Sequence, residues 1–143
     1  MVRSGAEIAE ATGRMFEADH ASRALGIELL EAERGRATAR MPVTAAMVNG
    51  HGVVHGGYVF LLADTAFACA CNSDGPVTVA ASAEITFVAP ARRGDTLHAR
   101  AEERTRFGRS GIYDVTLRDD GGAVIAEFRG HSRRVEREGA SPT

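Results

Sequence analysis

The chain has 143 residues, 44% apolar and 25% charged, with a formal net charge of −2 at neutral pH. These values fit a single globular domain spanning residues 1–143 and carry no basic excess that would point to nucleic acid as a partner. Met1 to Glu10 lack the apolar core of a signal peptide, and no stretch reaches the roughly 18 uninterrupted apolar residues of a membrane span, so a soluble, cytoplasmic protein without a membrane partner is expected.

In chain order, Ile8, Ala11, Met15 and Phe16 recur at helical spacing and predict an amphipathic helix within the first 20 residues, with residues 1–5 disordered. Alternation from Ile27 to Glu33 and from Arg36 to Val43, joined around Arg34-Gly35, predicts a hairpin. Between Tyr58 and Cys71, 12 of 14 residues are apolar and none is Gly or Pro, which favours a buried helix over a strand. Turn chemistry in residues 72–76 ends it. Strands are then predicted over 77–88, 96–105, 111–117 and 123–135, and short turns between them imply antiparallel neighbours. The tail 137–143 is expected to be disordered.

The order helix, two strands, long apolar helix, four strands defines an α+β class, with an antiparallel sheet of about five to six strands wrapped around the long helix. The sheet's concave face covers only part of such a helix. A second subunit is expected to bury the rest, which predicts a homodimer.

Within the long helix Asp64 is the only charge between Tyr58 and Asn72, and an ionised carboxylate among Leu61, Leu62, Ala63, Ala66 and Phe67 is costly unless paired. Either a neighbouring backbone group or arginine satisfies it, or it is kept for chemistry. His55-Gly56-Gly57 directly precedes the helix, where bare N–H groups and the helix dipole favour an anion or oxyanion, although a glycine pair there also makes an ordinary tight turn. Gly56 and Asp64 are eight residues apart, about 12 Å along a helix axis at roughly 1.5 Å per residue. One reacting carbon therefore touches both only if the helices of two subunits lie side by side, each chain supplying half a site.

Other chemistries lack their parts. His51 and His55 have a possible ligand spacing, but the glycines around them oppose a helix and no third ligand follows, so no metal is expected. No G-x-S-x-G elbow is present, and Cys69 and Cys71, one residue apart in an apolar run, read as small buried residues rather than as a disulfide or a reactive thiolate. All 17 basic residues are arginines, which reflects either genomic base composition or the fit of guanidinium to phosphate.

The run from Asn49 to Asp64 has the pattern N-x-x-G-x-x-H-G-G-x-x-F-x-L-A-D and continues into Thr65-Ala-Phe-Ala68. Here the sequence resembles the hotdog-fold thioesterases, and within them the phenylacetic-acid-degradation (PaaI-type) subfamily. The similarity extends from the Asp19-to-Gly26 region through Met47-Val48-Asn49, Ala68-Cys-Ala-Cys-Asn-Ser73, Phe87-Val-Ala-Pro90, Gly94-Asp-Thr-Leu97, Gly111-Ile-Tyr-Asp114 and Glu127-Phe-Arg-Gly130. The resemblance implies the hotdog fold, dimers that commonly pair into tetramers, and hydrolysis of aryl-acetyl or related acyl-CoA thioesters with no cofactor beyond the coenzyme A of the substrate. It also implies that Asp64 is the catalytic carboxylate, Gly56 the amide donor to the thioester oxygen, and Asn49 and His55 residues shaping the site.

The chemistry matches this sparse equipment. Attack on a thioester needs an oxyanion donor and a base or nucleophile, and a thiol leaving group of pKa about 8.5 needs no dedicated acid. Whether Asp64 attacks directly or activates water stays open. Gly57 lies beside the same helix start, and Arg92, Arg93, Arg106 and Arg109, with Arg109 foremost, are candidates for the phosphates of CoA, against their ordinary role as solvated charges. Two rival functions remain: a dehydratase or isomerase of the same fold, and a non-catalytic acyl-CoA sensor.

Overall fold

The computed structural model describes residues 5–73 and 75–135; the expected disordered tails fall, Gly5 excepted, outside that range. Gly5 opens the first helix, α1 (Gly5–Glu17), and a short second helix that the apolar spacing did not announce, α2 (His20–Ala24), follows at once. Asp19 caps α2 by accepting from the Ser22 N–H at 3.0 Å, which fixes where so short a helix begins.

The alternating segments form the hairpin β1 (Glu28–Glu33) and β2 (Arg36–Pro42), closed at Gly35 in a left-handed conformation with φ of 73°. Along β2 the small or apolar Ala37, Ala39 and Met41 are buried while Arg36 and Arg40 face outward. The long apolar segment is α3 (Gly56–Cys71), and β3 (Thr78–Phe87), β4 (Thr96–Phe107), β5 (Ser110–Arg118) and β6 (Val124–Arg134) follow it among the described residues.

All six strands form one antiparallel sheet in the order β1-β2-β4-β5-β6-β3. The expectation that successive strands are neighbours holds for β4-β5 and β5-β6 and fails for β3-β4. Between β4 and β5 the two-residue turn Gly108-Arg109 closes a hairpin, with Gly108 at φ 60°. Residues 88–95, with Pro90 inside them, are too long for that. Val88 and Ala89 instead donate to the Ile125 carbonyl at 2.8 and 3.2 Å, and β3 lies against β6 at the edge of the sheet.

The sheet wraps α3 and packs it with Met41, Leu97, Val115, Leu117 and Ile125, all at most 2% exposed. Burial of each such large side chain stabilises the fold by roughly 1.5–3 kcal/mol. Phe67 sits at the centre, 5.6 Å from Tyr113 and 5.7 Å from Phe128 between ring centroids. Its ring takes the space where a Cβ on Gly130 of β6 would stand, at 2.8 Å, so Gly130 gives the helix its seat. At the far end of α3 Asn72 donates to the Ala68 and Thr78 carbonyls and accepts from the Thr78 N–H, all at 2.9 Å, which locks the helix to β3.

The two sheet edges differ. β1 presents Glu28, Glu31 and Glu33, is broken by a bulge between Leu29 and Glu31, and has α1 packed across it. Apart from Thr78 and Ile85, every residue of β3 is exposed, and Val77, Val79, Phe87 and Val88 are apolar side chains about half exposed on or beside it.

Candidate active site

The glycine-rich segment before α3 is a small closed loop. Asn49 donates its N–H to the Val53 carbonyl at 2.7 Å, and its side-chain Oδ1 accepts from the His51 and Val53 N–H groups at 2.9 and 3.3 Å. Val48 and Val54 pair as an antiparallel bridge, and Gly52 at φ 79° makes the reversal between them. Asn49 is therefore the internal frame of the loop. The loop is docked by Val54 donating to the Ala91 carbonyl at 2.8 Å and by the Val53–Arg92 bridge, which ties it to the connection leaving β3.

His55 is the N-cap of α3. Its N–H donates to the Met47 carbonyl at 2.7 Å, while its Nδ1 accepts from the Gly57 N–H at 3.1 Å. That bond leaves the neutral ring's proton on Nε2. It also commits the Gly57 amide, so Gly57 offers a ligand only its exposed, side-chain-free backbone. The Gly56 N–H differs: it has no acceptor among the described residues and stands at the positive end of a 16-residue helix.

The sheet leaves one stripe of α3 uncovered. Gly57, Leu61, Asp64 and Ala68, spaced four, three and four residues apart, are each incompletely buried, whereas Val59, Leu62, Ala63, Ala66, Phe67 and Ala70 are buried. Asp64 stands in the middle of that stripe. No hydrogen bond or ion pair to it occurs among the described residues, so the satisfied-carboxylate alternative finds no support there. Burial pushes its carboxyl pKa up, and the nearby Asp19 carboxylate pushes in the same direction.

Asp19 was not anticipated as part of this region. Its Oδ2 accepts from the Ser22 hydroxyl at 2.6 Å, and Ser22 Oγ lies 2.7 Å from Thr65 Oγ1, the side chain next to Asp64. The cap pattern Asp-x-x-Ser was visible in the sequence, but its contact with Thr65, 43 residues away from Ser22, was not. Cys69 and Cys71 are buried free thiols whose pKa burial pushes up to about 12, which keeps them protonated and unreactive.

The four candidate arginines fall into two groups. Arg92 and Arg93 are exposed in the connection that holds the Asn49 loop, near the start of α3. Arg106 and Arg109 border a shallow hollow with Arg134 and Cys71, at the opposite end of that helix. Within one chain the two groups are not brought together. No cluster of three or more His, Cys, Asp or Glu side chains that could hold a metal occurs among the described residues. None of the helices described is long and apolar enough to cross a membrane.

A curved antiparallel sheet wrapped around one long helix that carries a lone carboxylate and begins at a bare amide is the hotdog fold. Residues 51–126 match the family model of the thioesterase superfamily. The chain is 45% identical to the acyl-coenzyme A thioesterase PaaI of Escherichia coli K12 over 121 residues, 85% of this chain and 86% of that protein. The solved structure of the E. coli PaaI protein from the phenylacetic acid degradation operon aligns with a TM-score of 0.90 at 42% identity, covering 93% of this chain and 97% of that one. A point mutant of the phenylacetic acid degradation protein PaaI from Thermus thermophilus aligns at 0.76 and 35% identity, over 80% and 97% of the two chains. The chain belongs to the thioesterase superfamily and is a thioester hydrolase.

Proposed function

We propose that the protein hydrolyses phenylacetyl-CoA or hydroxyphenylacetyl-CoA type thioesters to the free acid and CoA in the cytoplasm, as part of phenylacetate breakdown. The observation that carries the reading is a carboxylate, Asp64, and a helix-start amide, Gly56, both without a hydrogen-bond partner among the described residues, on the helix that the sheet leaves partly open. The acyl-CoA substrate is supported by the relatives named above.

In this mechanism the thioester oxygen accepts from the Gly56 N–H, which stabilises the developing oxyanion. Asp64, as carboxylate, either attacks the carbonyl carbon, expelling the CoA thiolate and leaving a mixed anhydride that water then cleaves to the free acid, or takes a proton from an attacking water, after which the CoA thiolate leaves. Asn49 and His55 hold the loop and the cap that keep the amide bare. The reaction as written calls on no metal or further cofactor.

The eight-residue separation of Gly56 and Asp64 requires a second copy. The exposed edge β3 and the open stripe of α3 supply surfaces for it, and the acidic, bulged β1 edge does not. A homodimer joined at β3 places two α3 helices antiparallel, with Gly56 of each facing Asp64 of the other. It also brings the Arg92 and Arg93 end of one chain toward the Arg106 and Arg109 end of its partner, so that both groups can border the CoA phosphates beside Gly57. Two such dimers pair as a tetramer.

Thiol release from a panel of aromatic and aliphatic acyl-CoAs tests the substrate, and Asp64→Ala tests the site: an Asp64→Ala variant with full activity sinks the assignment. Co-expression of Asp64→Ala with Gly56→Pro tests the sharing. Proline at the first helical position removes an N–H that the helix does not use, and the Cβ it adds meets the exposed Phe87 ring, which can swing aside. Each variant alone should be inactive, and random mixing should restore about a quarter of wild-type activity, because half of the dimers then hold one intact site of two. No recovery in proven heterodimers would overturn the cross-chain arrangement.

A further inference from the structure

Phe87, the last residue of β3, is an unusual neighbour for an oxyanion donor. A Cβ built on Gly56 would meet its Cζ at 2.9 Å and its Cε1 at 3.2 Å, so the tip of the ring lies against the α-carbon of Gly56. Yet the side chain is 55% exposed, the largest exposure among the described bulky apolar residues. The tip of the ring thus stands beside the Gly56 α-carbon, and much of the side chain faces out. Edge-on contact between His55 and Tyr58, 6.4 Å between ring centroids, adds further aromatic surface at the same helix start.

We infer that Phe87 forms a wall of the acyl pocket and biases the enzyme toward aromatic acyl groups. The inference rests on the proposed role of the Gly56 N–H. A carbonyl oxygen held about 3 Å from that nitrogen leaves the acyl group beside a ring already in contact with the Gly56 α-carbon. An arylacetyl group has its ring one carbon beyond the carbonyl. Its ring can therefore lie edge-to-face or offset against Phe87, covering apolar surface of both, whereas a saturated ring of the same size gains the burial without the quadrupole geometry. A glycine at position 56 lets this ring rest against the backbone without displacement, because an added Cβ would meet its tip at 2.9 Å.

Phenylacetyl-CoA and cyclohexylacetyl-CoA are the matched probes, compared on wild type, Phe87→Leu and Phe87→Tyr. The aromatic contribution of such a contact corresponds to roughly 2- to 12-fold in kcat/KM. Phe87→Leu should lower the phenylacetyl to cyclohexylacetyl ratio by that factor, and Phe87→Tyr should restore it. An unchanged ratio, or an equal fall for both substrates, would overturn the inference, because a ring that merely props Gly56 or packs a subunit interface affects all substrates alike. Wild-type protein that cleaves neither thioester would instead remove the hydrolase reading beneath it. Circular dichroism and size-exclusion chromatography of each variant separate a loss of fold or assembly from a change in selectivity.

Discussion

Ser22 on α2 and Thr65 on α3 are joined by a hydrogen bond: their hydroxyl oxygens are 2.7 Å apart, and the Ser22 hydroxyl also lies 2.6 Å from Asp19 Oδ2. An ionised Asp19 can only accept, so Ser22 donates to it and Thr65 must donate to Ser22. The Leu61 carbonyl, 2.9 Å from Thr65 Oγ1, is left competing for that single proton. Thr65→Val deletes the donor inside a buried contact and should destabilise the protein by about 1–2 kcal/mol, while Thr65→Ser should retain most of the stability. Urea denaturation of the two variants checks this.

Asp64 should weaken the fold that carries it. Its carboxyl pKa is raised, first by burial and then by Asp19, so folding favours the protonated form. For such a group the favourable contribution is complete below the unfolded-state value near 3.9 and is lost as pH rises through the folded-state value. Asp64→Asn is accordingly expected to raise the melting temperature at neutral pH, with the gain vanishing toward pH 3. The same substitution should lower kcat by about 10²–10⁴-fold. In the wild type, kcat/KM should fall on acidification through a pKa above the ordinary aspartate range, read from a pH–rate profile.

The role assigned to the Gly56 N–H separates two substitutions that look alike. Gly56→Ala and Gly56→Pro both bring a Cβ toward Phe87, at 2.9 Å from Cζ, and the exposed ring can swing away from either. Only proline removes the N–H, and His55 at φ −66° and ψ 135° already has the backbone that precedes a proline. Steady-state kinetics should show Gly56→Pro slower in kcat than Gly56→Ala by about 10²–10³-fold. Equal rates would remove the amide from the mechanism.

Gly130 tests packing away from the chemistry. A methyl group there overlaps the Phe67 ring at 2.8–2.9 Å, and that ring is fully buried. Gly130→Ala should cost about 1–3 kcal/mol by overpacking, visible as an earlier denaturation midpoint, and Phe67→Leu in the same chain should recover part of it.

Much of this architecture was legible because it is written locally. The period-two alternation of 36–43, the unbroken apolar run before Cys71 and the turns at Arg34-Gly35 and Gly108 mark elements wherever the chain goes next. Asp64 stands out by the same logic, as the only charge in that run, and its spacing from Gly56 is the basis of the two-chain site proposed above. What stayed hidden depends on distant pairings. The placement of β3 beside β6 follows from Val88 and Ala89 reaching Ile125, a contact no local pattern encodes. Thr65 gives no sign in the sequence of meeting Ser22, nor Phe87 of resting on Gly56. Asn49 was singled out as a site residue, and the fold shows that its side-chain oxygen holds the loop together.

The distance between Gly56 and Asp64 along α3 has a consequence for inheritance. If the sites are shared across a dimer as proposed, a chain carrying one lesion still lends its intact half to a normal partner, and activity in a mixed population declines in proportion to dose. A chain carrying both Asp64→Ala and Gly56→Pro spoils each site it enters, so activity should fall as the square of the normal fraction. Two mutations that each merely dilute the normal gene product interfere with it when placed in one gene copy.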